Sequence, residues 1–316
     1  MATVETALGP IDGSALGFTL SHEHVVTSSG EDAHHYPWMF DRDRTRERAI
    51  ASLREAKAEG VDTLIDLTTP DLCRDVRLIA DVAAASGMQV VVATGIWRDV
   101  PRSFALRDID ESADIFVREI EVGIDDTTIK AGAIKVANDE GELTPAHERV
   151  LRAAARASKR TGCPISTHHW AQGEQGREQV RIFQEEGAQM DRVCIGHSAD
   201  TTNVEYLEWL LQQGVYVSMD RYPGRPPRPG WRERNAATKA LVDRGWAPRL
   251  MLGHDASATR MVPAGMSEPP SDGYNPDGLL FLTRTGIPAL LADGVGQDAI
   301  DTMMREVPRR FLTGEG

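Results

Sequence analysis

TLIDLTTPDLCRDVRLIADVAAASGMQVVVATG, residues 63–95, carries a short β-branched apolar run at each end and an amphipathic stretch between them. Runs of that length suit strands buried on both faces, and parallel neighbours need a long, usually helical crossover. The segment therefore reads as strand, helix, strand, with strands at TLIDLT (63–68) and QVVVATG (89–95). Working outward, the pattern recurs as FTLSHEH (18–24), AGAIKVA (131–137), PISTHH (164–169), RVCIGH (192–197), VYVSMD (215–220) and RLMLGHD (249–255), which brings the strands to eight. Helix-like segments follow the strands. In RTRERAIASLREAKAEG, Ile50, Leu53 and Ala56 mark one face and Gly60 ends the helix.

Eight repeats of a βα unit close into a (β/α)8 TIM barrel, whereas a doubly wound sheet usually has fewer strands and a glycine-rich phosphate turn. Neither G-x-G-x-x-G nor a P-loop occurs. No linker divides the chain, so residues 1–316 read as one domain, with a short N-terminal β extension. Three long connections, 25–43, 221–231 (RYPGRPPRPGW) and 256–277, all follow strands. They are expected to overhang the C-terminal mouth, where barrels of this kind keep their chemistry.

Composition narrows the function classes. With 41% apolar and 26% charged residues the chain is an ordinary globular protein, and 48 acidic against 35 basic side chains give a net charge of -13. That charge repels a phosphate backbone and argues against nucleic acid as a partner. Cys73, Cys163 and Cys194 form no C-x-x-C pair and suit free thiols in a reducing, cytoplasmic setting. Neither a leader peptide nor a membrane span is expected.

Of the nine histidines, four stand at the ends of strands. His22 and His24 are one residue apart, so a period of two aims both imidazoles one way and Glu23 the other. They are natural ligands of one metal. His168 and His197 close adjacent strands that a second metal could bridge. Asp255 ends the eighth strand, beside the first, within reach of the metal of His22 and His24 and placed to accept a proton from water. Lys135 lies in the apolar strand AGAIKVA, where a buried ammonium is costly. Addition of carbon dioxide to its neutral amine would make a bridging anionic carbamate. His169 and His254 alternate to the opposite side, while His34, His35 and His147 belong to loops or helix starts; none of these five is expected to bind metal.

SHEH, KAGAIKVA, PISTHHWA, RVCIGHSADTTN and MLGHDA together resemble the strand motifs of the phosphotriesterase family of the amidohydrolase superfamily, nearly end to end. The resemblance implies that His22, His24 and Asp255 hold the more buried metal and His168 and His197 the more exposed one. Carboxylated Lys135 and a hydroxide would bridge the pair. In the implied mechanism the substrate oxygen docks on the exposed metal, the hydroxide attacks, and catalytic Asp255 takes the proton. Zinc is the default ion, with iron, cobalt and manganese also suited to such N/O ligands.

MDRYPG resembles the lactonase branch, which implies lactones, including acyl-homoserine lactones, as substrates, with Arg221 and Tyr222 at the rim and organophosphate hydrolysis as a side activity. Trp97 of ATGIW stands where lactonases usually carry a tyrosine. In loop 256–277, Met261 and Met266 offer apolar contact to an acyl chain, and Arg225, Arg228 and Arg232 read as a solvated basic loop. The resemblance also suggests a homodimer, with HHYPWMF (34–40) as a contact. The alternatives are phosphotriester or carboxylester hydrolysis as the main activity and, more remotely, a non-catalytic metal-binding barrel.

Overall fold

The computed structural model describes residues 2–28, 32–265 and 274–315. An antiparallel hairpin, β1 (Thr3–Thr6) and β2 (Gly9–Asp12), precedes a nine-stranded parallel sheet. Its strands are β3 (Thr19–Thr27), β4 (Thr63–Asp66), β5 (Gln89–Ile96), β6 (Ala133–Ala137), β7 (Ile165–His168), β8 (Val193–Ile195), β9 (Tyr216–Met219), β10 (Leu250–Leu252) and β11 (Ser257–Arg260). Neighbours follow sequence order from β3 to β10, and helices fill the crossovers, so the fold is a (β/α)8 TIM barrel. Ser21 Oγ donates to Leu252 O at 2.9 Å, and the Asp255 amide donates to His22 O at 2.8 Å, which joins the eighth stave to the first.

The eighth stave differs from the expected unbroken strand 249–255. β10 stops at Leu252 and β11 resumes beyond Ala256, pairing parallel with the upper half of β3 through Ser257 and His24. Asp255 sits in the break, in a left-handed conformation with φ 53°. β3 itself runs to Thr27, so both long connections flanking it begin as sheet rather than loop. They also join each other: Asp41 N–H donates to Val262 O, and Ala264 N–H donates to Met39 O.

Helix Arg42–Ala58 shows how the outer layer forms. The Asp41 side chain accepts the Arg44 amide at its start, and Ala49, Ile50, Leu53 and Ala56 give a buried stripe at helical spacing. Each large apolar side chain so buried is worth about 1.5–3 kcal/mol. Inside the barrel's lower half a second apolar cluster holds Leu16, Ile65, Leu67, Val91, Ala93, Ala133, Tyr216 and Met251. Val4 of the hairpin and Phe311 and Leu312 of helix Val307–Thr313 close it from below. Buried Arg192 fixes that helix by donating to Phe311 O at 2.6 Å and to Gly162 O.

Candidate metal centre

The C-terminal ends of these strands converge on one cluster. His22 Nε2 and His24 Nε2 lie 3.6 Å and 3.2 Å from Asp255 Oδ1, and the three residues present ligand-type atoms within 4.8 Å of one another. Lys135, 1% exposed, places Nζ 2.8 Å from His22 Nε2. His197 Nε2 is 3.8 Å from the other Asp255 oxygen, Oδ2. The His168 and His197 rings meet edge to face at 4.4 Å, and those of His22 and His197 stack at 4.5 Å. All six residues expected from the sequence are thus gathered in one place. His197 reaches it from just beyond β8, in a left-handed conformation with φ 61°.

Charge at the site fits a cation. Burial pushes the imidazole pKa of His22 down, that of His168 down to about 3 and that of His197 far down, so these rings are neutral at pH 7 with lone pairs to give. Burial alone would raise the Asp255 carboxyl, but His197, Arg221 and His24 hold it well below the usual range. Burial brings the Lys135 amine down to about 8, against the pull of Asp255 and Asp220. Neutral imidazoles, a carboxylate and a readily deprotonated amine form an N/O donor set suited to divalent zinc, iron, cobalt or manganese.

Behind these residues stand partners the motifs did not reveal. Fully buried Asp220, at the end of the VYVSMD run, has Oδ2 2.8 Å from His22 Nδ1 and Oδ1 3.0 Å from His197 Nδ1. The His22 contact lies off the line a well-formed N–H bond takes. Gly196 leaves the room for this arrangement, since a Cβ there would stand 3.2 Å from His22 Nδ1 and collide with Thr167 O. Thr68 Oγ1 is 2.9 Å from His24 Nδ1, and Asp139 Oδ1 is 3.3 Å from His168 Nε2. Glu23 turns away from the cluster, as alternation requires, and accepts from the amide and Nδ1 of His254. His169 bonds Gly196 O and Tyr206 Oη, so neither of these two histidines enters the cluster.

Above the cluster opens a cavity of about 660 Å³, walled in part by Phe40, Leu72, Trp97, Met261, Pro263 and Arg260. Trp97 Nε1–H donates to His168 Nδ1 at 3.1 Å. Asp71 accepts the amides of Trp97, Arg98 and Asp99 and so fixes the turn that carries the indole. Arg221 donates from Nε to Asp255 Oδ2 at 2.9 Å and from Nη1 to Asp200 at 2.7 Å, and so spans the floor. Asp200 also accepts from buried Arg234 and pairs with Arg228, whose side chain remains 45% exposed as expected of the basic loop. Tyr222 departs from the expected rim position. It is 1% exposed, its hydroxyl donates to Asn235 at 2.8 Å, and its ring stacks on Phe281, which makes it a core residue. The backbone turn at Arg221, φ 63°, separates the two: one side chain enters the mouth and the next packs behind it. Met261 lines the cavity; Met266 lies outside the described residues.

Comparison with known proteins agrees with this geometry. The sequence matches the Phosphotriesterase family over residues 2–312. A phosphotriesterase homology protein of Mycobacterium tuberculosis is 43% identical, covering 100% of this chain and 99% of its own length. An aryldialkylphosphatase of Saccharolobus solfataricus is 35% identical over 96% of this chain and 97% of its own. An N-acetyltaurine hydrolase of Bos taurus is 26% identical over 98% and 97% respectively. The solved structure of the phosphotriesterase from Mycobacterium tuberculosis superposes with a TM-score of 0.89 at 42% identity, covering 98% of each chain. With the family matched along almost its whole length and the histidines, lysine and aspartate gathered at the barrel mouth, the chain belongs to the phosphotriesterase family of hydrolases.

Proposed function

We propose that the protein is a two-metal hydrolase that opens lactones, acyl-homoserine lactones among them. The carrying observation is the convergence of His22, His24, Lys135, His168, His197 and Asp255 beneath a cavity that sets Phe40, Leu72, Met261 and Pro263 among polar side chains and whose floor presents the Arg221 guanidinium. His22, His24 and Asp255 would hold one divalent cation and His168 and His197 the other, with Lys135 as a carbamate between them. A bound pair of this kind lowers the pKa of water and polarises the bond to be cleaved.

The protein's own residues supply the remainder. Asp255, 19% exposed, faces the cavity and is held ionised, so it can take a proton from attacking water and return it to the leaving alkoxide. Arg221, fixed by Asp200, directs donors toward an oxygen that gains charge. The Trp97 indole N–H donates to His168 Nδ1; a metal held by that nitrogen would free it as a further donor where a hydroxyl is usual in the lactonase branch. Phe40, Leu72, Met261 and Pro263 favour an acyl or alkyl tail and exclude water.

The decisive experiment is a kcat/KM comparison between a lactone panel and an aryl dialkyl phosphate. The lactones should be preferred. A higher value for the phosphate ester would instead establish the activity for which the Saccharolobus relative is named.

A further inference from the structure

Four histidines face the metal loci, and each has a group at its far nitrogen. Two of these are private: Thr68 serves His24 at 2.9 Å and Asp139 serves His168 at 3.3 Å. Asp220 is shared. Its two oxygens reach Nδ1 of His22 at 2.8 Å and Nδ1 of His197 at 3.0 Å, and it also accepts the His197 amide at 3.1 Å. It is wholly buried, and its own backbone carbonyl is pinned by Arg234 Nη1 at 2.8 Å.

We infer that Asp220 is a positioning residue that makes the two metal loci interdependent, by holding one histidine of each in the Nδ1–H form. The inference rests on the two-metal reading above. A neutral imidazole carries one N–H, and an ionised carboxylate can only accept. Facing Asp220, both rings must therefore put hydrogen on Nδ1, which leaves both Nε2 lone pairs on the Asp255 side. Such outer partners fix tautomer and ring angle and strengthen the ligand. Here one carboxylate does so for both cations, so its loss is felt at two sites rather than one.

His22, His197 and Asp220 could also be read as a third cation site. Their N···O separations are ordinary hydrogen-bond lengths, and a cation there would need the Nδ1 lone pairs of rings whose Nε2 atoms already face the main cluster. Asp220 bonds the His197 ring and amide in good geometry, while His22 Nδ1 lies 2.8 Å from Oδ2 but off line, so the pairing of His22 with Asp220 is a close contact that a small ring rotation would turn into a bond.

The test is zinc binding by chelator competition in the parent, Asp220→Asn, Asp139→Asn and Thr68→Val, each checked for fold by the melting of its metal-stripped form. Asn keeps the shape of Asp but offers one acceptor and one donor, so it cannot hold both rings as Nδ1–H. Asp220→Asn should weaken both zinc equivalents by about 10–100-fold. Asp139→Asn and Thr68→Val should each weaken one. Long-range proton–nitrogen correlation spectra of the zinc-loaded parent should show both His22 and His197 protonated at Nδ1, a reading independent of any variant. Parental affinity in Asp220→Asn, loss of one zinc only, a third zinc in the parent, or a bare Nδ1 on either ring overturns the inference. A parent that binds no zinc overturns the two-metal reading, and this inference with it.

Discussion

The lower and upper halves of the barrel interior are built on the same strands and do opposite work. Along β6, Ala133 packs in the lower apolar cluster while Lys135, two residues on and facing the same way, sits among the histidines. Along the β9 run, Tyr216 packs against Phe311 below, and Asp220 braces His22 and His197 above. The lower half is closed by the hairpin and the last helix and has the tight apolar packing that stabilises a fold. The upper half concentrates costly features: buried titratable groups and left-handed backbone at His197, Arg221 and Asp255, each such residue costing on the order of 1 kcal/mol or more. Stability drawn from one end permits strain and buried charge at the other.

Making the upper half resemble the lower is the strongest way to test that division. Lys135→Met extends the apolar layer upward and should reduce lactone hydrolysis by about 10³-fold or more. Its metal-stripped form should melt no lower than the parent's, because a buried amine has been removed. Steady-state kinetics and calorimetry check the pair, and a variant that keeps its activity would dissolve the contrast. At the opposite end, Phe311→Ala should cost about 3–5 kcal/mol in denaturant unfolding while bound metal and KM stay at parental values.

The halves should also separate by pH. An unfolded His168 takes up a proton below about 6.5, whereas the buried ring stays neutral to about 3. Below pH 6.5 the unfolded state therefore binds more protons, and stability falls as pH drops through that window. For His168 alone the loss between pH 6.5 and 5 is about 2 kcal/mol. Melting of the metal-stripped protein across that range should show the fall, and His168→Phe should flatten it. The smallest effect belongs to the mouth: Trp97→Tyr, which restores a hydroxyl, should raise lactone kcat/KM by about two- to tenfold.

The eight staves were legible because each is a compact run with an apolar core, most of them β-branched, and the six convergent residues because each sits at a strand end or inside an apolar strand. What the sequence hid depends on contacts between distant segments. Asp220 meets a histidine 198 residues earlier, and although it lies within MDRYPG, nothing in that stretch tells which distant side chains its carboxylate reaches. The interruption of the eighth stave was invisible because Gly-His-Asp directly follows the apolar run LML and the small residues of ASATR after it give no sign that the strand resumes. Tyr222 was misplaced because a left-handed turn at Arg221 reverses the expected direction of the next side chain. Backbone handedness at a non-glycine residue leaves little trace in composition or spacing.

Anomalous X-ray diffraction at the zinc edge, from crystals of zinc-loaded protein, tests the convergence most directly. Two peaks about 3.5–4 Å apart are expected, one among His22, His24 and Asp255 and the other beside His168 and His197, with Lys135 between them. No peak in this cluster, or a single peak lodged against Asp220, would contradict the proposed centre.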